Sequence, residues 1–168
     1  MSEFVDLYDR NRKFLNRVVD RNTYLFQPGE FMMYVLAILE NEEGKFLVTQ
    51  RALDKKWAAG GWEMPGGGAK SKESSLDAIK REVKEETGLD VSQADGGYLF
   101  TYKRENPGEG DNYFVDVYRF VMDIDEKDLH LQEEETDGYR FATLDEIKGY
   151  AAEGKFLHYD SIKQAFEF

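Results

Sequence analysis

Residues 31–40 read FMMYVLAILE, nine apolar or aromatic positions closed by one acid, and 45–51 read KFLVTQR. Both are short runs of strand composition, and the polar stretch Asn41–Gly44 between them predicts a turn. Upstream, residues 3–9 and 13–20 alternate between apolar and polar, which predicts an N-terminal hairpin turning near Arg10-Asn11-Arg12. Downstream, Gly97 to Arg104 and Tyr113 to Ile124 predict a second strand pair around the loop 105–112, and Gly138 to Ala142 a last short strand. Trp62-Glu63-Met64-Pro65-Gly66-Gly67-Gly68 reads as a short strand running into a glycine turn. Ser71 to Thr87 has no proline or glycine and is followed by Gly88, a suitable C-cap, with Ser71 as the expected N-cap. Leu76, Ile79 and Val83 recur at helical spacing and predict its buried stripe. Leu144 to Glu153, with Thr143 as N-cap, and Tyr159 to Phe166 also read as helices. This order implies an α+β or α/β sandwich built on a mixed β-sheet. No linker, repeat or low-complexity tract interrupts it. The expectation is one domain over 1–168, with 1–30 as a hairpin extension and 31–168 as a core that carries the C-terminal helices.

The polar side of the predicted 71–87 helix is unusual. Glu82, Glu85 and Glu86 stand at i, i+3 and i+4, so their carboxylates gather on one face. Like charges that close repel, and Glu85 and Glu86 also sit at the C-terminal end, where the helix dipole disfavours an anion. A hard divalent cation with oxygen ligands, Mg²⁺ or Mn²⁺, relieves both penalties. Taken alone, E-x-x-E-E describes an ordinary solvated acidic face. Its surroundings change the reading. Glycines at 66–68 precede the helix and let main-chain groups approach a metal or phosphate directly. Arg81 lies four residues from both Asp77 and Glu85, in reach of a salt bridge to either. Glu73 lies near the helix start, away from the 82/85/86 face.

Between Gly67 and Leu89 the chain reads GGAKSKESSLDAIKREVKEETGL, or G-x5-E-x7-R-E-U-x-E-E-x-G-U with U apolar. Gly67, Glu73, Arg81, Glu82, Val83, Glu85, Glu86, Gly88 and Leu89 fill all the fixed positions. This resembles the Nudix box, the signature of hydrolases that cleave a nucleoside diphosphate linked to some other moiety. The resemblance covers roughly residues 31–150. It implies a Nudix fold and a Mg²⁺-dependent pyrophosphohydrolase, with Glu82, Glu85, Glu86 and the Gly67 carbonyl as metal ligands. It also implies that Arg81 orients the glutamates, a task for a rigid guanidinium fork, with Glu73 in support. The opening segment DLYDRNRKFLNRVVDR resembles the hairpin found in a subset of the family akin to isopentenyl diphosphate isomerase. Isomerase chemistry in that subset needs a catalytic cysteine, and this chain has none. A third reading, a nucleotide sensor without turnover, fits proteins whose box is eroded; here it is complete.

Composition bounds the remainder. The chain has 168 residues, 41% hydrophobic and 33% charged, with no apolar run of the ~20 residues a membrane helix needs. The absence of cysteine excludes disulfides and thiolate chemistry. The N-terminus lacks the apolar core of a signal peptide, so the expected location is cytoplasmic. A net charge of −12 argues against a nucleic-acid polymer as partner. It leaves a small nucleotide or diphosphate open, because bound cations invert the local field. The hairpin is an edge element or the contact of a homodimer. Arg51 and Trp62 are the substrate-contact candidates, the first as a phosphate fork and the second as a stacking surface. Trp57, Tyr34, Tyr102 and Phe114 are further aromatics; Pro107 and Tyr102 lie in the region where the family resemblance puts substrate determinants, but their spacing matches no coenzyme A or ADP-ribose motif. Attack by water needs a general base, for which Glu85 and the run Glu133-Glu134-Glu135 both qualify. The two histidines, His130 and His158, are read as structural or exposed.

Overall fold

The computed structural model describes residues 3–55, 58–106, 111–132 and 136–167. Strands β1 (Phe4–Tyr8) and β2 (Phe14–Asp20) form the expected antiparallel hairpin as a separate two-stranded sheet. The main sheet has seven strands. They are β3 (Met32–Glu40), β4 (Phe46–Arg51), β5 (Trp62–Glu63), β6 (Gly66–Gly68), β7 (Asp95–Asn106), β8 (Asp111–Val121) and β9 (Thr136–Ala142). Its order is β5-β4-β3-β8-β7, with β6 also on β3 and β9 on β4. Among the described strands, β3 and β8 are the pair that runs parallel, from Met32↔Tyr113 to Glu40↔Val121, so the sheet is mixed.

The continuous apolar run of β3 has a simple cause: both of its faces are covered. Met33, Val35, Ala37 and Leu39 pack with Ile79 and Val83 of α1 (Ser75–Thr87). Leu36 and Ile38 face the other way, onto Ile147 of α2 (Leu144–Ala152) and Ile162 of α3 (Tyr159–Ile162). Helices on both faces of a mixed sheet give the α+β sandwich that the element order implied. Among the described residues no helix is long and apolar enough to cross a membrane.

Several local expectations are corrected. The N-cap of α1 is Ser74, whose side chain accepts from the Asp77 amide, so the helix begins a turn later than a Ser71 cap implies. Ser71 instead gives its hydroxyl to Asp6 of β1. Leu76 is exposed, and the buried positions of α1 are Ala78, Ile79, Val83 and Thr87. The 159–166 segment is one α-helical turn followed by a 3₁₀ turn over Lys163–Glu167. β7 and β8 each extend toward their connection beyond the expected ends. Gly88 caps α1 in the left-handed conformation, and Thr143 closes a full capping box with Glu146 on α2, as the sequence suggests.

The hairpin is tied down at both ends. At its turn, Arg12 sends two guanidinium bonds of 2.8 and 2.6 Å to Asp116 on β8, and Arg10 bonds Glu105 on β7 in the same bidentate way. At its open end, Phe4 accepts from the Ser71 amide, and Asp6 accepts from the Lys72 amide as well as the Ser71 hydroxyl. The loop between β6 and α1 therefore hangs on the N-terminal strand.

Candidate active site

Gly66, Gly67 and Gly68 do not form a turn. They are β6, paired with Leu36, Val35 and Tyr34 of β3, and none has a positive φ. Lack of a side chain is what matters at each. A Cβ on Gly66 would meet the Val35 carbonyl oxygen at 2.4 Å, and one on Gly67 would meet the Glu82 carboxylate at 2.3 Å. Real Cβ atoms do not approach so closely, so glycine here permits β6 to lie directly against β3 and against the acidic face of α1.

Arg81 organises that face. Its Nε and Nη2 donate to Glu73 at 2.8 and 2.9 Å, and Nη2 also donates to the Gly68 carbonyl at 3.0 Å. Nη1 donates to Glu82 at 3.0 Å and to Glu85 at 3.2 Å. Asp77, four residues back, is not a partner. Glu73 is thus joined to the glutamate face through the guanidinium, although its position at the helix start placed it apart. Burial works to raise the Glu73 pKa, but the Arg81 bond and the Lys70 amide outweigh it and hold it below the usual carboxylate range.

Glu82 behaves oppositely. Burial pushes its pKa up; Arg81 opposes, while the charges of Glu85 and Glu3 push in the same direction as burial. Glu86 accepts from the Gly66 amide at 3.2 Å, and Glu85 is the most exposed of the three. Among the described residues no three acidic or histidine side chains already form a metal-holding cluster. Arg81 Nη1 lies between Glu82 and Glu85 and holds both carboxylates.

Beside Glu86 opens a cavity of about 200 Å³ lined by Tyr34, Thr49, Arg51, Glu63, Gln132 and His158, among others. Arg51 faces it and lies 3.5 Å from Glu63. Tyr34, stacked on Tyr113, has its hydroxyl pKa raised by burial, then by Glu86 and Glu63, so it stays protonated. His158 caps α3 in a left-handed conformation at the cavity wall. Glu63 escaped sequence reasoning, although strand alternation beside Trp62 was the signal that would have found it. The same alternation turns Trp62 away. Its ring stacks on Tyr150 at 5.4 Å in a separate groove of about 420 Å³ that shares no lining residue with the first. Phe114 packs in the core against Phe31, and Tyr102 packs under the other face. Glu133, Glu134, Glu135, Trp57 and Pro107 lie outside the described residues, though Gln132 and Thr136, which flank the acidic run, both line the cavity of Glu86.

Comparison with known proteins agrees with this arrangement. A family model described as NUDIX domain matches residues 30–163. An uncharacterised Nudix hydrolase of Listeria innocua is 32% identical over 163 residues, 96% of this chain and 92% of its own length. The CTP pyrophosphohydrolase of Escherichia coli is 35% identical over 77 residues, covering 46% of this chain and 55% of that protein. A Deinococcus radiodurans crystal structure shares the fold at a TM-score of 0.73 over 91% of both chains, with 19% identity. The MutT protein of Methanosarcina mazei aligns at a TM-score of 0.59 with 28% identity, over 71% of this chain and 81% of that one. With the family's domain spanning most of its length and the complete box folded around Arg81, the chain belongs to the Nudix hydrolase family.

Proposed function

We propose that the protein hydrolyses a phosphoanhydride bond in a nucleoside diphosphate linked to another moiety, with a divalent cation. The observation that supports this most is the seating of the Glu82 carboxylate against Gly67, where a side chain would stand. The donors we assign to it are all oxygens: carboxylates of Glu82, Glu85 and Glu86 and the carbonyl of Gly67. Such a set suits Mg²⁺, or Mn²⁺, and not a soft metal. A divalent cation held by these groups neutralises diphosphate charge and makes water a better nucleophile.

The protein's own part is orientation and charge. Arg81 keeps Glu82 and Glu85 at fixed positions and is itself anchored by Glu73 and Gly68. Arg51, at the cavity wall, offers a fork to a phosphate oxygen. Protonated Tyr34 offers a hydroxyl on the same wall. Glu85, or one residue of Glu133–Glu135, takes the proton of the attacking water. The water oxygen bonds one phosphorus as that phosphorus parts from the bridging oxygen, which leaves on the other phosphate, so two phosphate-bearing products form with no covalent enzyme intermediate. The cavity beside Glu86 receives the rest of the substrate.

The test is phosphate release over a panel of nucleotides, nucleotide sugars and dinucleoside polyphosphates, with and without Mg²⁺ or Mn²⁺. Pyrophosphatase and phosphatase serve as parallel coupling enzymes. Turnover that requires the cation and drops at least a hundredfold in Glu86→Gln supports the reading. Turnover unchanged in that variant rejects it.

A further inference from the structure

Matching of the family domain starts at residue 30, yet the open end of the N-terminal hairpin reaches the box. Arg21 follows β2 directly, and its amide donates to the Glu3 carbonyl, which fixes the backbone at this point. Its guanidinium lies where a side chain on Gly68 would stand: a Cβ there would be 2.5 Å from Arg21 Nη1. Gly68 is paired with Tyr34, so Arg21 and Tyr34 occupy the same face of the sheet as the Glu86 cavity. The Tyr34 hydroxyl lies in the field of Glu86, Glu63, Glu82 and Arg21, and Arg21 is the cation among them. The Arg21 ion pair with Glu3 is loose, at 3.6 Å, and both side chains are about a third exposed.

We propose that Arg21 is a substrate-binding residue, whose guanidinium grips a phosphate oxygen of the diphosphate at the box; this rests on the hydrolase reading above. The chemistry favours it. An arginine at the end of a tied hairpin has its backbone pre-organised, and among the described residues its ion pair is the long one to Glu3, which leaves donors for a bidentate phosphate. Gly68 has room for that guanidinium only because it has no side chain. The extension would thus serve the active site, by supplying a cation that the family domain alone does not contain.

The experiment titrates the full chain with methylenediphosphonate, a diphosphate analogue whose CH₂ bridge cannot be hydrolysed, in the presence of Mg²⁺. Arg21→Ala is expected to weaken binding about tenfold or more, the scale of a charge-assisted phosphate contact. Arg21→Lys should recover part of the loss, and Glu3→Gln should bind at least as tightly as the wild type. Steady-state rates on the nucleotide panel should show the same change in KM with kcat within about twofold. Unchanged binding in Arg21→Ala overturns the proposal, as does an equal loss in Glu3→Gln, which would make the pair a structural clamp. A wild type that binds the diphosphonate through Arg21 but turns over nothing would reject the hydrolase reading and leave Arg21 as a diphosphate contact. A wild type that turns over nucleotides with Arg21→Ala unaffected does the reverse.

Discussion

Arg81 and Glu73 form a two-bond fork, at 2.8 and 2.9 Å, across the start of α1. With the bonds to Gly68, Glu82 and Glu85, all five donors of the guanidinium are engaged. Lysine has three donors on a flexible stem and cannot reproduce that geometry. Arg81→Lys should therefore fold normally but lose about 10–100-fold in Mg²⁺ affinity and in turnover, the usual effect of loosening groups that orient metal ligands. Metal titration of activity alongside thermal melting separates the two. Equal activity at every Mg²⁺ concentration would remove Arg81 from its positioning role.

A methyl group at residue 67 tests the closeness of β6 and α1. In Gly67→Ala the new Cβ collides with the Glu82 carboxylate, the far end of a flexible side chain, and with no backbone atom closer. Glu82 can swing aside, so the fold should survive with a melting temperature within a few degrees of the wild type. The displaced carboxylate is the one argued to hold the cation, so turnover should fall by a factor of about 100 or more. Gly66→Ala is the contrasting variant. Its Cβ meets main-chain oxygen of Val35 at 2.4 Å, so it should lose stability as well as activity.

The box was legible because its chemistry is local. Glu82, Glu85 and Glu86 are brought onto one face by helix geometry alone, and the penalties they incur are visible in a single turn. What sequence spacing could not show is who holds that face. Arg81 bonds Glu73, eight residues back across the helix start, in preference to Asp77 on its own helix. The three glycines read as a turn because glycine usually signals backbone freedom; here it signals close approach, which only the packed partners reveal. Ser71 reads as the cap from the sequence, and Ser74 takes that place while the hairpin claims Ser71 through Asp6. Asp6, Glu3 and Arg21 sit more than 45 residues before the box, and no local pattern links them to it. The sheet was more legible than its order: strand composition marks every strand but the glycine strand β6, whereas the parallel β3–β8 pairing depends on where the chain returns.

Glu82 is held at a cost to the fold without a cation. It is partly buried, close to Glu85 and within the influence of Glu3. In Glu82→Gln the charge disappears while Arg81 keeps its fork to Glu73. Metal-free Glu82→Gln should therefore melt at or above the wild-type temperature, since removing a poorly compensated buried charge is neutral or stabilising. Added Mg²⁺ should raise the melting temperature of the wild type by mass action and raise that of the variant much less. Calorimetry with EDTA and with excess Mg²⁺ gives the four values required. A larger Mg²⁺ response in the variant would contradict the assignment of Glu82 as a ligand.

Asp116 and Arg12 fasten the hairpin to the sheet, and their pairing should be read in the acid limb of stability. Burial works to raise the Asp116 pKa, but the bonds from Arg12, Ser75 and Thr101 outweigh it, so the folded value lies below the ordinary 3.8. A depressed folded pKa stabilises the native state above the unfolded value, and this contribution disappears as pH falls through the folded one. At pH 7, Asp116→Asn should therefore cost about 2 kcal/mol, roughly 6 °C in melting temperature for a chain of this size. The gap between variant and wild type should close as pH falls from about 5 to below 3, because the wild type loses the charge that the variant never had. Arg12→Ala should cost a similar amount at pH 7, as it leaves a nearly buried carboxylate without its cation. The double variant should lose less than the sum of the two, since each single change already breaks the pair. If the gap instead widened in acid, or the losses added fully, the hairpin would be held by its apolar face of Val5 and Leu7 and not by this ion pair.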